Sequence, residues 1–301
     1  MFDDGHNDML RSQLNANVTR FAAYKAYHAT QQIKQAKAEG SEPEPVLHKY
    51  NRWQATEYAT IVARCRTARQ FADFNSRVDL FPCLRWLPSR SASPREDHRR
   101  FWNRVWRKDD PFWQTNQPGN LWNCKCDWEE TDDEPTDGNP ANTIAAQGLE
   151  GNPAITGEVF SEDASYFGVS EQERLLLSKF GRDGLKNDAR STSLGITSDI
   201  GRIIIDKQSL YETAQANIME RHYWTKLEIA RHFDIFVNDL QFVDTEAIDL
   251  GHNTYGSKAY KRKKKFDSMK KYILDVSGTK FIVKMGQYKD GTLSLYTIYE
   301  K

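Results

Sequence analysis

Three residues near the middle of the chain carry ligand chemistry. His98, Cys124 and Cys126 offer one imidazole and two thiols, the donors that hold a tetrahedral zinc ion. Cys83 is a candidate fourth ligand. The Cys-x-Cys spacing is tighter than the common Cys-x-x-Cys, so a second reading stays open. In that reading His98 caps or bonds a loop and the thiols are buried or redox-labile. Four cysteines in 301 residues make no disulfide framework; in a reducing compartment such a pair is free thiol or metal site.

The segment 81–128 around these residues holds six of the eight tryptophans. Trp102, Trp106, Trp113 and Trp122 interleave with Arg99, Arg100, Arg104 and Arg107, which is the makeup of a base-stacking platform. The competing reading is a small aromatic core. Helical spacing of the rings favours the core.

A second set of reactive side chains lies in the last third. His222 and His232 titrate near neutrality when unperturbed. The run Lys261-Arg262-Lys263-Lys264-Lys265 can hold a nucleic-acid backbone without reading sequence, or form a solvated loop or a contact to another protein. The chain lacks a GxxxxGK[ST] phosphate loop, an HExxH helix and a GxSxG elbow, which argues against an ATP-driven motor and zinc proteolysis.

These residues need elements to position them. Net charge is zero, from 42 Lys+Arg and 42 Asp+Glu. Residues 1–190 carry 25 Lys+Arg against 28 Asp+Glu, net −3, and residues 191–301 carry 17 against 14, net +3. That asymmetry fits two domains with different partners. Leu10, Leu14, Val18, Phe21 and Tyr24 recur at helical steps and predict a helix within 7–39, closed by Gly40 and the Pro-rich stretch after it. A second helix is expected over about 49–78, with Arg64, Arg66, Arg69 and Arg77 on its wet side. A third, over 94–107, starts at Ser93-Pro94 and puts His98, Trp102 and Trp106 on one face. Residues 129–152 read as an acidic linker. Ser170 and Glu173 form a capping box for a helix that Gly181 ends.

The tail shows a β-branched strand over 202–206 and one or two helices over 208–232. A basic loop follows over 251–265, then strands over 271–276, 280–286 and 293–299 with turns at Ser277-Gly278 and Asp290-Gly291. The expected class is α+β. Its parts are an N-terminal helix (1–45), a mainly helical Trp- and Cys-rich core (46–130), an acidic linker and extension (131–168), a connecting helix (169–190) and a small α+β domain with an antiparallel sheet (191–301).

Five pieces occur in a specific order: Phe81-Pro82, Ser93-Pro94-Arg95, His98, Asp109-Asp110-Pro111-Phe112-Trp113, and Trp122-Asn123-Cys124-Lys125-Cys126; Arg66-Thr67-Ala68-Arg69 stands on the helix before them. Together they resemble the core of the phage Mu F-like head morphogenesis family, and the resemblance covers roughly residues 45–168. Gly119 departs from the family, which usually has a second proline there. The resemblance implies a minor head protein of a phage or prophage, with portal and capsid proteins as partners. Its place would be the bacterial cytoplasm or the phage head. It also marks His98 and the CxC pair as acting together, so the CxC loop is expected to be tied to the helix bearing His98.

The order of elements in the tail resembles the phage form of the barnase–EndoU–colicin–RelE nuclease fold. That resemblance implies RNA cleavage without a metal. His222 is its leading general acid or base and His232 a second. Lys284 would face the phosphate and Thr297 would bond a phosphate oxygen. It also implies an RNA substrate, and an immunity protein if the tail is a toxin. A tail that only binds RNA, packaged DNA or coat protein is the alternative. No stretch is apolar enough to cross a membrane and the N-terminal MFDDGHNDMLRS has no signal-peptide core, so no membrane partner is expected.

Overall fold

The computed structural model describes residues 6–94, 96–189, 194–251 and 255–301. Arg95 of the Ser-Pro-Arg motif, the expected start of the tail at Ser191, and 252–254 of the expected basic loop lie outside them. Two compact units occur, Met1–Val169 and Ser170–Lys301.

The first unit opens with two long helices, α1 (His6–Ala38) and α2 (Glu44–Asn75). Leu10, Leu14, Phe21 and Tyr24 of α1 are buried at the expected steps. Gly40, at φ +71°, reverses the chain, and Ser41 N–H donates to Ala36 O at 2.8 Å. The prolines after it also start α2, because Pro43 occupies its N-cap and a second proline fills its first turn.

β1 (Cys83–Leu87), β2 (Val105–Arg107) and β3 (Asp127–Thr131) form an antiparallel sheet in the order β2-β1-β3. β2 lies in the stretch where spacing predicts the end of a helix over 94–107. Only Glu96–Phe101 coils there, as a 3₁₀ helix. Asn103 then turns the chain at φ +59°, and its N–H donates to Trp86 O at 2.7 Å while Trp86 N–H donates to Arg104 O at 3.0 Å. These pairings replace the helical ladder, so Trp106 reaches the core from a strand. The short helices α3 (Phe112–Thr115) and α4 (Pro153–Thr156) complete the unit.

The tryptophans are mostly core. Trp86, Trp113, Trp106 and Trp128 are buried, with Phe71, Leu84, Phe101, Phe112 and Cys126 in one cluster. Trp106 stacks on Phe112 at 4.2 Å and Trp113 meets Trp128 edge-on at 5.4 Å. The extension after the acidic segment is also core. Phe160 is fully buried and stacks on Phe21 of α1 with centroids 3.7 Å apart.

The second unit begins with α5 (Glu171–Asp188), whose capping box between Ser170 and Glu173 is complete. Gly181 does not end this helix. It lies inside it, where an added Cβ would come within 3.0 Å of Trp224 and 3.1 Å of Leu227. Its missing side chain admits a neighbouring helix. β4 (Leu194–Ser198) and β5 (Gly201–Ile205) precede α6 (Lys207–Gln215) and α7 (Tyr223–Arg231), the helix that Gly181 admits. Next come α8 (Phe233–Phe236), β6 (Gln241–Glu246) and α9 (Lys258–Lys263), the last within the expected basic loop. β7 (Ser268–Val276), β8 (Thr279–Gln287) and β9 (Leu293–Glu300) follow. Ser277 and Gly278, both at positive φ, make the tight β7–β8 turn. The six-stranded sheet has the order β4-β5-β9-β8-β7-β6, antiparallel except for the parallel β5–β9 pair.

Candidate metal centre

The fold brings His98, Cys124 and Cys126 together. Their ligand atoms all lie within 4.8 Å of one another, and among the described residues this is the group of His, Cys, Asp or Glu placed to hold a metal ion. His98 sits on the 3₁₀ turn, 2% exposed, with its ring edge-on to Trp86 at 5.2 Å. Its Nε2 lies 3.3 Å from Ile144 O. Donation to that carbonyl puts the proton on Nε2 and leaves the Nδ1 lone pair facing the thiols. Nδ1 is 3.5 Å from Cys124 Sγ and 3.9 Å from Cys126 Sγ.

Cys124 ends the turn after Trp122, and its N–H donates to Leu121 O at 3.0 Å. Cys126 N–H donates to Cys124 Sγ at 3.4 Å as the chain enters β3. The hydrogen bond that the Cys124 sulfur accepts from the Cys126 thiol holds the pKa of Cys124 below its ordinary value. The same bond, together with burial, raises Cys126. Two cysteine sulfurs and one imidazole nitrogen face one another, next to a cleft of about 240 Å³ lined also by Ser89, Ser91, Ser93 and Lys125.

The donor set fits a zinc-like ion. Tetrahedral bonds of about 2.3 Å to sulfur and 2.0 Å to nitrogen place neighbouring ligands about 3.5 Å apart. Cys83 is not part of the group. It lies on β1 with Arg107 and Thr131 as cross-strand partners.

A buried arginine holds this loop, and the sequence reading placed it in solvent. Arg64 on α2 is fully buried and donates to Asn120 Oδ1 at 2.7 Å and Leu149 O at 2.8 Å. Gly119 lets it pass, since a Cβ there would lie 3.1 Å from Arg64 Cγ. The signal available was small: Gly119 and Asn120 in the turn before the CxC pair.

In the second unit the predicted residues do not converge. His222 and His232 cap opposite ends of α7, roughly 15 Å apart along the axis at the helical rise. His222 Nδ1 lies 2.9 Å from Glu300 Oε1, and its backbone N–H reaches Glu300 Oε2 at 3.2 Å. His232 Nε2 lies 3.4 Å from Glu228 Oε1. Lys284 and Thr297 are cross-strand partners on β8 and β9. Because side chains alternate along a strand, Thr297 and Glu300 point to opposite faces of the sheet. His222 therefore lies across the sheet from Lys284, whose Nζ is 2.7 Å from Glu246 Oε2. Thr297 Oγ1 is buried with no hydrogen-bond partner among the described residues.

The run 261–265 divides. Lys261, Lys264 and Lys265 are exposed and Lys263 is half-buried. Arg262 points inward, donating to Ser209 Oγ at 2.8 Å and Leu295 O at 2.7 Å, so it is an anchor of α9 and no backbone contact.

No family model matches the chain, and no solved structure matches it. Two curated proteins do. The "Putative capsid assembly protein F" of Escherichia phage Mu is 35% identical over 72 residues, 24% of this chain and 16% of that protein. The "Mu-like prophage FluMu F protein" of Haemophilus influenzae is 34% identical over 59 residues, 20% of this chain and 14% of that protein. The match thus spans about one sixth of the relatives' length. It supports a Mu F-like family relationship in the N-terminal region of this chain.

Proposed function

We propose that this chain is a head-assembly protein of a Mu-like phage or prophage, working with portal and capsid proteins in the host cytoplasm and the assembling head. The observation that carries it is the relationship of its N-terminal region to two F proteins, one of them named for capsid assembly. The His98–Cys124–Cys126 group serves that role as a zinc-held tie between the 3₁₀ turn and β3, fixing the surface of the loop between them. No helix among the described residues is long and apolar enough to cross a membrane.

The test is genetic and structural. A prophage lacking this gene should yield few DNA-filled heads, with the tagged protein banding with heads in a density gradient when restored. Normal numbers of filled heads without the gene would overturn the assembly role.

A second reading makes the C-terminal unit a metal-independent RNase centred on His222. It is favoured by Glu300, which holds Nδ1 and leaves Nε2 to exchange a proton, the arrangement of a base fixed by a carboxylate. His232, Lys284 and Thr297 have no part in that centre. The full chain in EDTA should then cut transfer RNA to 2′,3′-cyclic phosphate ends, and His222→Ala should not. Intact RNA at high protein concentration leaves the unit without catalysis.

A further inference from the structure

We propose that α9 and the turn before it form a contact surface for single-stranded nucleic acid, with Tyr255 and Tyr260 stacking on bases and lysines tracking the backbone. Residues 250–266 contain six Lys or Arg and no Asp or Glu. Lys258, Lys261, Lys264 and Lys265 are exposed. The one cation of the run that is buried, Arg262, also reaches Ser294 Oγ at 3.3 Å, which pins this short helix to α6 and β9. The exposed lysines are thereby carried on a fixed support.

The aromatic part is what separates this surface from a solvated basic helix. Tyr255 is 85% exposed, and its ring lies 5.1 Å from that of Tyr260 at 55°. A large ring left in water costs free energy that packing elsewhere would recover. Set among cations, the pair supplies the two things a strand of unpaired bases needs: a π-face for stacking and charge for its phosphates. In duplex DNA the bases already stack on each other, so an exposed tyrosine gains nothing there. The surface therefore fits an unpaired strand better than a duplex. It rests on neither functional reading above.

The test is fluorescence anisotropy of a labelled oligothymidine with the full chain across a salt series. Binding is expected at low salt, with Tyr255→Ala about tenfold weaker and Tyr255→Phe close to the parent. Changing Lys261, Lys264 and Lys265 together to Gln should weaken binding and reduce the slope of log K against log salt by about 2. No binding at low salt, a duplex of equal length bound as tightly, or a Tyr255→Ala protein that binds like the parent would each overturn the proposal. Because binding is read by anisotropy and cleavage by product ends, failure here and failure of the RNase reading are distinguishable.

Discussion

The guanidinium of Arg64 and the side-chain oxygen of Asn120, 56 residues apart, meet at 2.7 Å in a site closed to solvent. This bond joins α2 to the turn that leads into the CxC pair. The same guanidinium reaches the carbonyls of Leu149, Glu150 and Gly151. Burial presses its pKa down to about 9, but its acceptors keep it charged.

Arg64→Leu should therefore cost about 3 kcal/mol, because it strands several buried acceptors at once. Urea unfolding followed by tryptophan fluorescence measures it. A midpoint unchanged within error would mean that the carbonyls find other partners.

Metal content separates the two readings of the thiol site. Protein purified without chelator should carry about one zinc per chain, lost in His98→Ala, Cys124→Ser and Cys126→Ser and kept in Cys83→Ser. Elemental analysis reads the content, and cobalt substitution reads sulfur ligation by its charge-transfer absorption. Equal, low metal in all five proteins would leave the group as a buried hydrogen-bonded cluster.

Phe266 lies flat over Gly286 of β8, where an added Cβ would fall 2.3 Å from the ring. Gly286→Ala should cost about 1–3 kcal/mol by overpacking. Most of that cost should vanish in a Phe266→Ala background, because the clash has one source. A double-mutant cycle on thermal unfolding checks the coupling; additive losses would place the strain elsewhere.

Glu246 provides the pH dependence. Its hydrogen bond from Lys284, with charge from Lys284 and Lys271, holds the carboxyl below its ordinary value. A carboxyl depressed in the folded state contributes stability that is full above its unfolded pKa and lost as pH falls through the folded one. The loss thus begins near pH 4.5 and grows with acid. With side chains 37% and 25% exposed, solvent screens the pair, so the effect is at most about 1 kcal/mol. Glu246→Gln should flatten the stability curve between pH 3 and 5 relative to the parent.

Donor chemistry made the thiol site legible from sequence: one histidine and two cysteines say what they can bind wherever they sit. The tail strands were legible too, since β7, β8 and β9 are apolar runs rich in β-branched and aromatic residues, set between turns with their own residue chemistry. Arg64 was hidden among the arginines of α2. Its burial depends on carbonyls some 85 residues away, which no local pattern encodes. The helix expected over 94–107 failed for a related reason. His98, Trp102 and Trp106 have helical spacing, yet a 3₁₀ turn, a left-handed Asn103 and a strand meet the same spacing and also pair the backbone of Trp86. The residues expected to act together in the tail lie apart, because strand alternation puts Lys284 and Thr297 on the sheet face opposite Glu300, the partner of His222.

The position of β9 between β5 and β8 sets an order of events at the ribosome. The strand made latest in this unit is an interior strand of its sheet, so β5 and β8 each keep an open edge until it emerges. The helices can form earlier, but the sheet cannot close ahead of residue 293. Chains released before that point would carry two adhesive edges, which gives translation of β9 the character of a quality checkpoint.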